Sequence, residues 1–500
     1  VTRGIGFAGA LLVFTILVTA NSSGYRYGVS DQAFYAPAVE LAAHPTLFPH
    51  DRVVLATQTR VWLGDDVLGW IVRATGTDVP TLFFVLYLVT AATFAAGALL
   101  LARALGADDW TAAAFLALLT LRHRIARTGA NTFEGYLHPR VLAFGLGLAA
   151  LAFALRRRWA AATAVVVVAG IVHPTTAIWF ALAVATMAVV QSAHRTRIIA
   201  GLAAAAVVAV LVGSRLIAGR LVVMDPAWLA VFADRDYLFA AEWPLYAWLT
   251  NLLYPVVIVA IARCRRHAGA AVPGEGALVA AMIALTAVFL ISVPFTEARL
   301  ALAVQLQVNR VFWLLDAVAT CFLAWWIVGY LARRRSGRAR AAIVGVLVAA
   351  AAARGAYVMH GRGSLVQLRP HATDWTATLE WLRGQPDSWQ VLAAPDHVWR
   401  YGANIRVTAR KDVLVEATKD PAMAMYDRNI AMRVAERLAA TADFDALTID
   451  DVRRLASRFG LDVLIEPADH PFALPVLYRN ASFIVYDLRP PRPAALVHPS

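Results

Sequence analysis

The sequence predicts a mainly α protein: a polytopic transmembrane helical bundle of about eleven spans with a small C-terminal extracytoplasmic α/β domain. Three observations lead there. Of the 500 residues, 60% are hydrophobic and 16% charged, where soluble domains run nearer 45–50% and about 25%. Mean hydropathy is +0.60. The apolar residues are gathered into runs suited to a hydrocarbon core about 30 Å thick, and the basic residues fall in short clusters between those runs. A soluble enzyme, a disordered chain and a disulfide scaffold are excluded on composition.

The spans are expected at about 4–20, 80–102, 107–121, 140–155, 159–172, 175–192, 198–215, 246–262, 276–293, 311–332 and 341–358. The third is short. The stretch between Arg158 and His194 is nearly all apolar and as one helix would be about 52 Å long, too long for the bilayer. It therefore reads as a hairpin with His173-Pro174 at a tip slightly below the outer surface.

Net charge is +13, which raises a nucleic-acid partner. The distribution argues against one. With the N-terminus in the cytoplasm, the cytoplasmic loops hold Arg103, Arg156–Arg158, Arg195 with Arg197, Arg263 with Arg265 and Arg266, and Arg333–Arg335 with Arg338 and Arg340. Every dense cluster between spans falls on one side, the positive-inside pattern. This places the 21–79 loop and the C-terminal region outside, in an integral plasma (inner) membrane protein. All but two of the 46 basic residues, Lys411 and Lys419, are arginine, and the two cysteines form no framework or metal motif.

The domains are then 1–360, transmembrane, with a long outer loop at 21–79; 365–490, extracytoplasmic α/β; and 491–500, a disordered proline-rich tail. In the second domain, helices are expected at Asp374–Arg383 behind a Thr373 cap, Ala422–Ala440 and Ile449–Phe459. Strands are expected at Val391–Ala394, Val413–Glu416, Val463–Ile465 and Phe483–Tyr486. No glycine-rich phosphate loop occurs.

Unusual polar residues collect in the outer segments. The first loop carries Ser30-Asp31-Gln32 and Tyr35 ahead of an apolar-periodic stretch, 33–43, that suits a helix on the membrane surface. Asp31 reads either as a helix cap, with Ser30 as the other choice, or as a general base. The second outer loop carries Glu134, His138 and Arg140; Pro139 suits a first helical position. Arg140 reads equally as a snorkelling interfacial arginine. The segment 294–310, which dips into the membrane or lies on it, ends in Gln305, Gln307 and Arg310. Asp316 follows inside a span, at a cost of roughly 2.5–3.5 kcal/mol. A bland reading pairs Asp316 with an arginine. Together with His173, these residues point to one polar pocket open to the outside, suited to an amphiphile with a phosphate head gripped by arginine.

The long acid-bearing outer loop, the many spans, the outer α/β domain, and the Ser30-Asp31-Gln32, His138-Pro139-Arg140 and Gln305–Arg310 stretches resemble the GT-C superfamily of membrane glycosyltransferases. The resemblance implies a polyprenyl-phosphate sugar donor, a glycan or protein acceptor on the outer face, membrane lipid around the bundle, and inversion at the sugar carbon. It maps the base to Asp31, with Glu134 as a second acid. Arg310 or Arg140 would hold the lipid phosphate, and His138, His173, Gln307 and Tyr35 would line the substrate site. Many members carry two adjacent acids where this chain has Asp31 and Gln32. No cofactor is therefore fixed, and a divalent metal stays open, with His44 and His50 as candidate additional ligands. Two other classes stay open: a transporter or flippase of a lipid-linked or anionic substrate, and a non-catalytic assembly protein of the same fold.

Overall fold

The computed structural model describes residues 2–59, 64–331 and 337–490. Arg333–Arg335 and the tail 491–500 lie outside the described residues. The chain divides into two compact units: Val1–Arg26, Thr81–Pro226 and Ala233–Leu368 form one, and Tyr27–Pro80, Ala227–Phe232 and Arg369–Ser500 the other. The first outer loop thus belongs with the C-terminal segment, whereas the sequence-based division grouped it with the spans.

Each apolar run of the first unit is helical. The helices are α1 (Thr2–Asn21), α2 (Val79–Ala104), α3 (Asp109–Thr120), α4 (Pro139–Leu155), α5 (Trp159–Val172), α6 (Pro174–Gln191), α7 (Arg195–Val212), α8 (Leu245–His267), α9 (Glu275–Glu297), α10 (Val311–Ala324) and α11 (Gly337–Met359). Among the described residues, seven stretches are long and apolar enough to cross a membrane: α2, α6, α7, α8, α9, α11 and Ala301–Leu331, which contains α10. The apolar parts of α1, α3, α4 and α5 are shorter. Eleven crossings therefore rest on the arginine distribution rather than on helix length.

Helix packing fixes the helices that matter below. Where α2 meets α4, a Cβ on Gly97 would stand 2.1 Å from the Gly145 carbonyl oxygen, and one on Gly145 would stand 2.7 Å from the Phe94 Cα. Only glycine lets these backbones touch, the small-residue mode of membrane helix packing. Next to it, Phe144 stacks on Trp313 of α10 at 3.9 Å between ring centroids. The hairpin expectation holds: α5 ends at Val172, α6 begins at Pro174, and the two helices pack on each other and on α4. At 14 residues, α5 is only about 21 Å long. The segment before α10 is a short buried helix, Ala301–Leu306, and a 3-10 turn, Val308–Arg310. Arg265, expected in a loop, lies in the last turn of α8 and is buried. It holds Glu275 through Nε at 2.9 Å and Nη2 at 3.0 Å.

The second unit contains a five-stranded sheet. Its strands are β1 (Gln390–Leu392), β2 (Asp412–Val413), β3 (Val463–Pro467), β4 (Val476–Arg479) and β5 (Phe483–Asp487), in the order β2-β1-β3-β5-β4. The first three are parallel, and β5 is antiparallel to β3 and β4. Alternation along the strands serves two faces. Val391, Val463, Ile465 and Val485 pack with Trp375, Leu379 and Leu382; Leu392, Leu464, Ile484 and Tyr486 pack with Phe444, Val452 and Leu455. The helix Asp374–Arg383 has the expected Thr373 cap, and Ile449–Phe459 matches residue for residue. The expected helix Ala422–Ala440 is broken into Asp420–Ala424 and Arg428–Ala440, because Asp427 caps the second through its carboxylate. Strand β4 was not anticipated; its burial is partial and does not alternate.

The segment 27–80 is fastened to the C-terminal segment by charge. Arg406, 1% exposed, donates from Nε to Asp51 Oδ2 at 2.7 Å and from Nη1 and Nη2 to the two oxygens of Asp420 at 2.6 and 2.9 Å. Asp51, fully buried, also accepts from Val413 N at 3.2 Å. Burial works to raise the Asp51 pKa, but Arg406, Arg437 and Arg433 hold it below the ordinary carboxylate value. Asp412, which accepts from the His50 and Asp51 amides at 2.9 Å each, is pushed up to about 7 by burial and then by Asp51.

Candidate functional site

In the first unit, five of the candidate residues come together at helix heads. His138 caps α4 in extended conformation, its Nδ1 accepting from Arg140 N at 3.3 Å, and Pro139 fills the first helical position as expected. Arg140 is turned back onto the preceding loop, where Nη2 donates to Glu134 Oε1 at 2.8 Å; both residues are buried. This rules out the snorkelling reading. Asn131 Nδ2 reaches both Glu134 oxygens at 3.2 and 3.3 Å, and Arg122 Nη2 stands 3.6 Å from Oε2. Gly135 allows the loop to lie against the end of α1, since a Cβ there would meet the Ser22 and Gly24 carbonyl oxygens at 2.5 and 2.6 Å.

His173 caps α6 and lies with its ring centroid 6.1 Å from that of His138, which is 6.0 Å from Tyr136. Its Nδ1 accepts from Thr176 N at 3.3 Å, so the hydrogen-bond pattern puts the ring proton on Nε2. Arg310 and Arg140 both lie within electrostatic range of this ring. Arg310 ends the 3-10 turn at the head of α10; Gln307 before it is buried and left-handed, with φ at 48°. Arg140 links the two halves of the cluster: with Arg122 it engages the Glu134 carboxylate, and with Arg310 it lies within electrostatic range of the His173 ring, which faces His138. Glu134 engages Arg140 and Arg122, so the balance of charge suits an anion with several oxygens.

Sequence reasoning missed four members of this neighbourhood. Asn131 and Arg122 hold Glu134. His123 Nδ1 stands 3.4 Å from Asp316 Oδ2, and Tyr254 lies within electrostatic range of that carboxylate. Among the described residues Asp316 thus meets an imidazole rather than the arginine of the bland reading. The signal available was Arg122-His123-Arg124 directly after a span.

Asp31 and Tyr35 belong to the second unit. The helix Gln32–Ala43 starts one residue after Asp31, but the Asp31 side chain makes no capping bond. Its Oδ1 accepts from Lys419 Nζ at 2.7 Å, and Lys419 also donates to Ser30 Oγ at 3.2 Å. The capping reading is therefore corrected for Asp31: the carboxylate is spent on a lysine 388 residues away. The surface-lying reading of 33–43 is corrected too. Ten of the twelve helical residues, Tyr35 among them, are buried, because apolar residues occupy more than one face of the helix. Gln32 accepts from Gly28 N at 2.7 Å and is fully buried. Among the described residues, no group of three or more His, Cys, Asp or Glu side chains is placed to hold a metal ion.

No protein-family model and no curated protein matches the chain. Among solved structures it is similar to the oligosaccharyltransferase of Archaeoglobus fulgidus tethered with an acceptor peptide through a disulfide bond. The identity is 14% over 92% of this chain and 69% of that chain, with a TM-score of 0.49. It is also similar to the A. fulgidus oligosaccharyltransferase AglB in complex with an inhibitory peptide and a dolichol-phosphate, at 12% identity over 93% and 70% of the chains and a TM-score of 0.47. The apo form of the A. fulgidus enzyme gives 15% identity over 92% and 69%, with a TM-score of 0.47.

Proposed function

We propose that the chain is a membrane glycosyltransferase of the GT-C type that moves a sugar from a polyprenyl-phosphate donor to an acceptor on the outer face of the plasma membrane. The observation that carries this reading is the cluster of Arg140, Arg122, Arg310, His138 and His173 at the heads of apolar helices. Such a cluster suits a lipid phosphate, whose head pairs with guanidiniums while its tail lies along an apolar wall. The reading includes eleven crossings, a cytoplasmic N-terminus and an outer second unit.

In this scheme the Asp31 carboxylate takes the proton of the acceptor group as the acceptor attacks the anomeric carbon. The carbon–oxygen bond to phosphate breaks on the opposite face, which inverts the centre. The polyprenyl phosphate departs with the bonding electron pair. Glu134 keeps Arg140 in place, since its own oxygens already accept from Arg140 and Asn131. Lys419, bound to Asp31, must yield that carboxylate to the acceptor. A resident divalent metal, the acceptor's identity and the sugar are outside the scheme.

The test is incubation of the purified protein in lipid with labelled polyprenyl-phosphate sugars, reading release of lipid phosphate. Asp31→Asn is expected to lower release by about 10²–10⁴-fold with an unchanged melting temperature. Turnover at the wild-type rate in that variant removes Asp31 from the mechanism.

A further inference from the structure

Between Glu134 and Asp225 the chain holds eight arginines and no acidic residue. That stretch builds α4 to α7. A groove of about 690 Å³ lies between α5, α6 and α7, within the roughly 300–1,000 Å³ range of ligand sites. Its body is apolar, with Val166, Val184 and Leu202 among its walls, and its polar end is formed by Arg157, Trp159 and Gln191. None of the apolar window of α7 is buried, although the helix touches α6, so one wall of the groove stands apart from the bundle.

Arg157 lies in the Arg156–Arg158 turn joining α4 to α5, in left-handed conformation with φ at 57°. Its Nε donates to Gln191 Oε1 at 3.2 Å, and Gln191 Nε2 donates to the Ala154 carbonyl at 3.3 Å. Among the described residues no carboxylate pairs with Arg157. Arg195 and Arg197 open α7 just beyond Gln191. A cation at the mouth of an apolar cleft, in a stretch without opposing acid, complements an anionic amphiphile.

We propose that this groove binds an anionic diacyl phospholipid of the surrounding bilayer. Its phosphate would sit on the Arg157 fork and one acyl chain along the cleft between α5, α6 and α7. Trp159 lies where an indole stacks at headgroup level. Basic pockets between membrane helices hold anionic headgroups by this chemistry. The groove is separate from the proposed catalytic cluster. Arg157 follows the C-terminal end of α4 while His138 and Arg140 lie at its N-terminal end, and 17 residues span about 25 Å.

Native mass spectrometry of the purified full chain, titrated with phosphatidylglycerol or phosphatidylcholine, reads the site directly. Wild type is expected to retain phosphatidylglycerol at least about tenfold better, the worth of charge-assisted hydrogen bonds. Arg157→Gln is expected to lose that preference and Arg157→Lys to keep most of it. Ala185→Trp, which fills the body of the groove, is expected to remove both lipids while the size-exclusion profile stays that of wild type. Equal retention of the two lipids by wild type overturns the proposal, as does undiminished phosphatidylglycerol binding in Arg157→Gln. Displacement of phosphatidylglycerol by polyprenyl phosphate at tenfold lower concentration overturns it too, and assigns the groove to a different lipid.

Discussion

Both units bury carboxylates against guanidiniums, but they finish the job differently. In the second unit Arg406 is enclosed, and its Nε, Nη1 and Nη2 all donate to Asp51 or Asp420. In the first, Glu134 is enclosed but Arg122 on its rim is 35% exposed. A closed network fastens distant segments of chain. An open one keeps charge available for something that arrives later. The second unit also holds a buried acid that, among the described residues, has no arginine or lysine in ion-pair contact: Glu466 is 1% exposed, and His470 Nδ1 stands 3.9 Å from its Oε2.

The sharpest way to break this comparison is Arg406→Ala. It strands Asp420, leaves Asp51 with only the more distant Arg433 and Arg437, and is expected to cost about 3–5 kcal/mol, read as early proteolysis of the 27–80 segment on heating. An unchanged proteolysis temperature would mean that the closed network does not fasten that segment. Glu466→Gln probes that other buried acid. Burial, then Asp445, pushes the Glu466 pKa up to about 8 from the ordinary 4.5. The sign follows: a carboxyl raised on folding gives its full support below pH 4.5 and loses it as pH climbs through 8. Hydrogen-exchange protection of β3 is expected to fall by on the order of 4 kcal/mol between pH 4 and pH 9 in wild type. The fall should flatten in Glu466→Gln, and parallel pH curves would contradict it.

Gly145→Val tests the packing beneath the open cluster. It forces α4 off α2 and is expected to destabilise by about 1–3 kcal/mol, with a matching drop in the detergent melting temperature. A neutral result would mean that the Gly97–Gly145 crossing relaxes freely. The smallest effect is expected from Arg140→Lys, which keeps the charge and loses the planar fork. Release of lipid phosphate should fall about tenfold with little change in stability. A larger loss of stability than of rate would make the Glu134–Arg140 pair structural.

What the sequence made legible follows from the range of the physics involved. Apolar runs, the His173-Pro174 hairpin and the Thr373 cap are decided within a few residues, and each was found where the residues pointed. The break at Asp427 was equally local but was masked by continuing apolar periodicity on either side. The partners of the site residues were not legible. Asp51 meets Arg406 across 355 residues and Asp31 meets Lys419 across 388, and no local pattern announces either. Lys419 did carry a faint signal, being one of two lysines in a chain that otherwise uses arginine.

The Asp51–Arg406 clasp also sets a timetable. A ribosome adds roughly 5–20 residues per second, so the 355 residues between the two halves take roughly 20–70 s to make. For that interval the 27–80 segment has been synthesised but its fastening has not, and Asp51 has no guanidinium to receive it. Closure of the second unit therefore waits until late in synthesis: nascent chains halted before residue 406 should expose 27–80 to protease, and chains released after residue 420 should protect it.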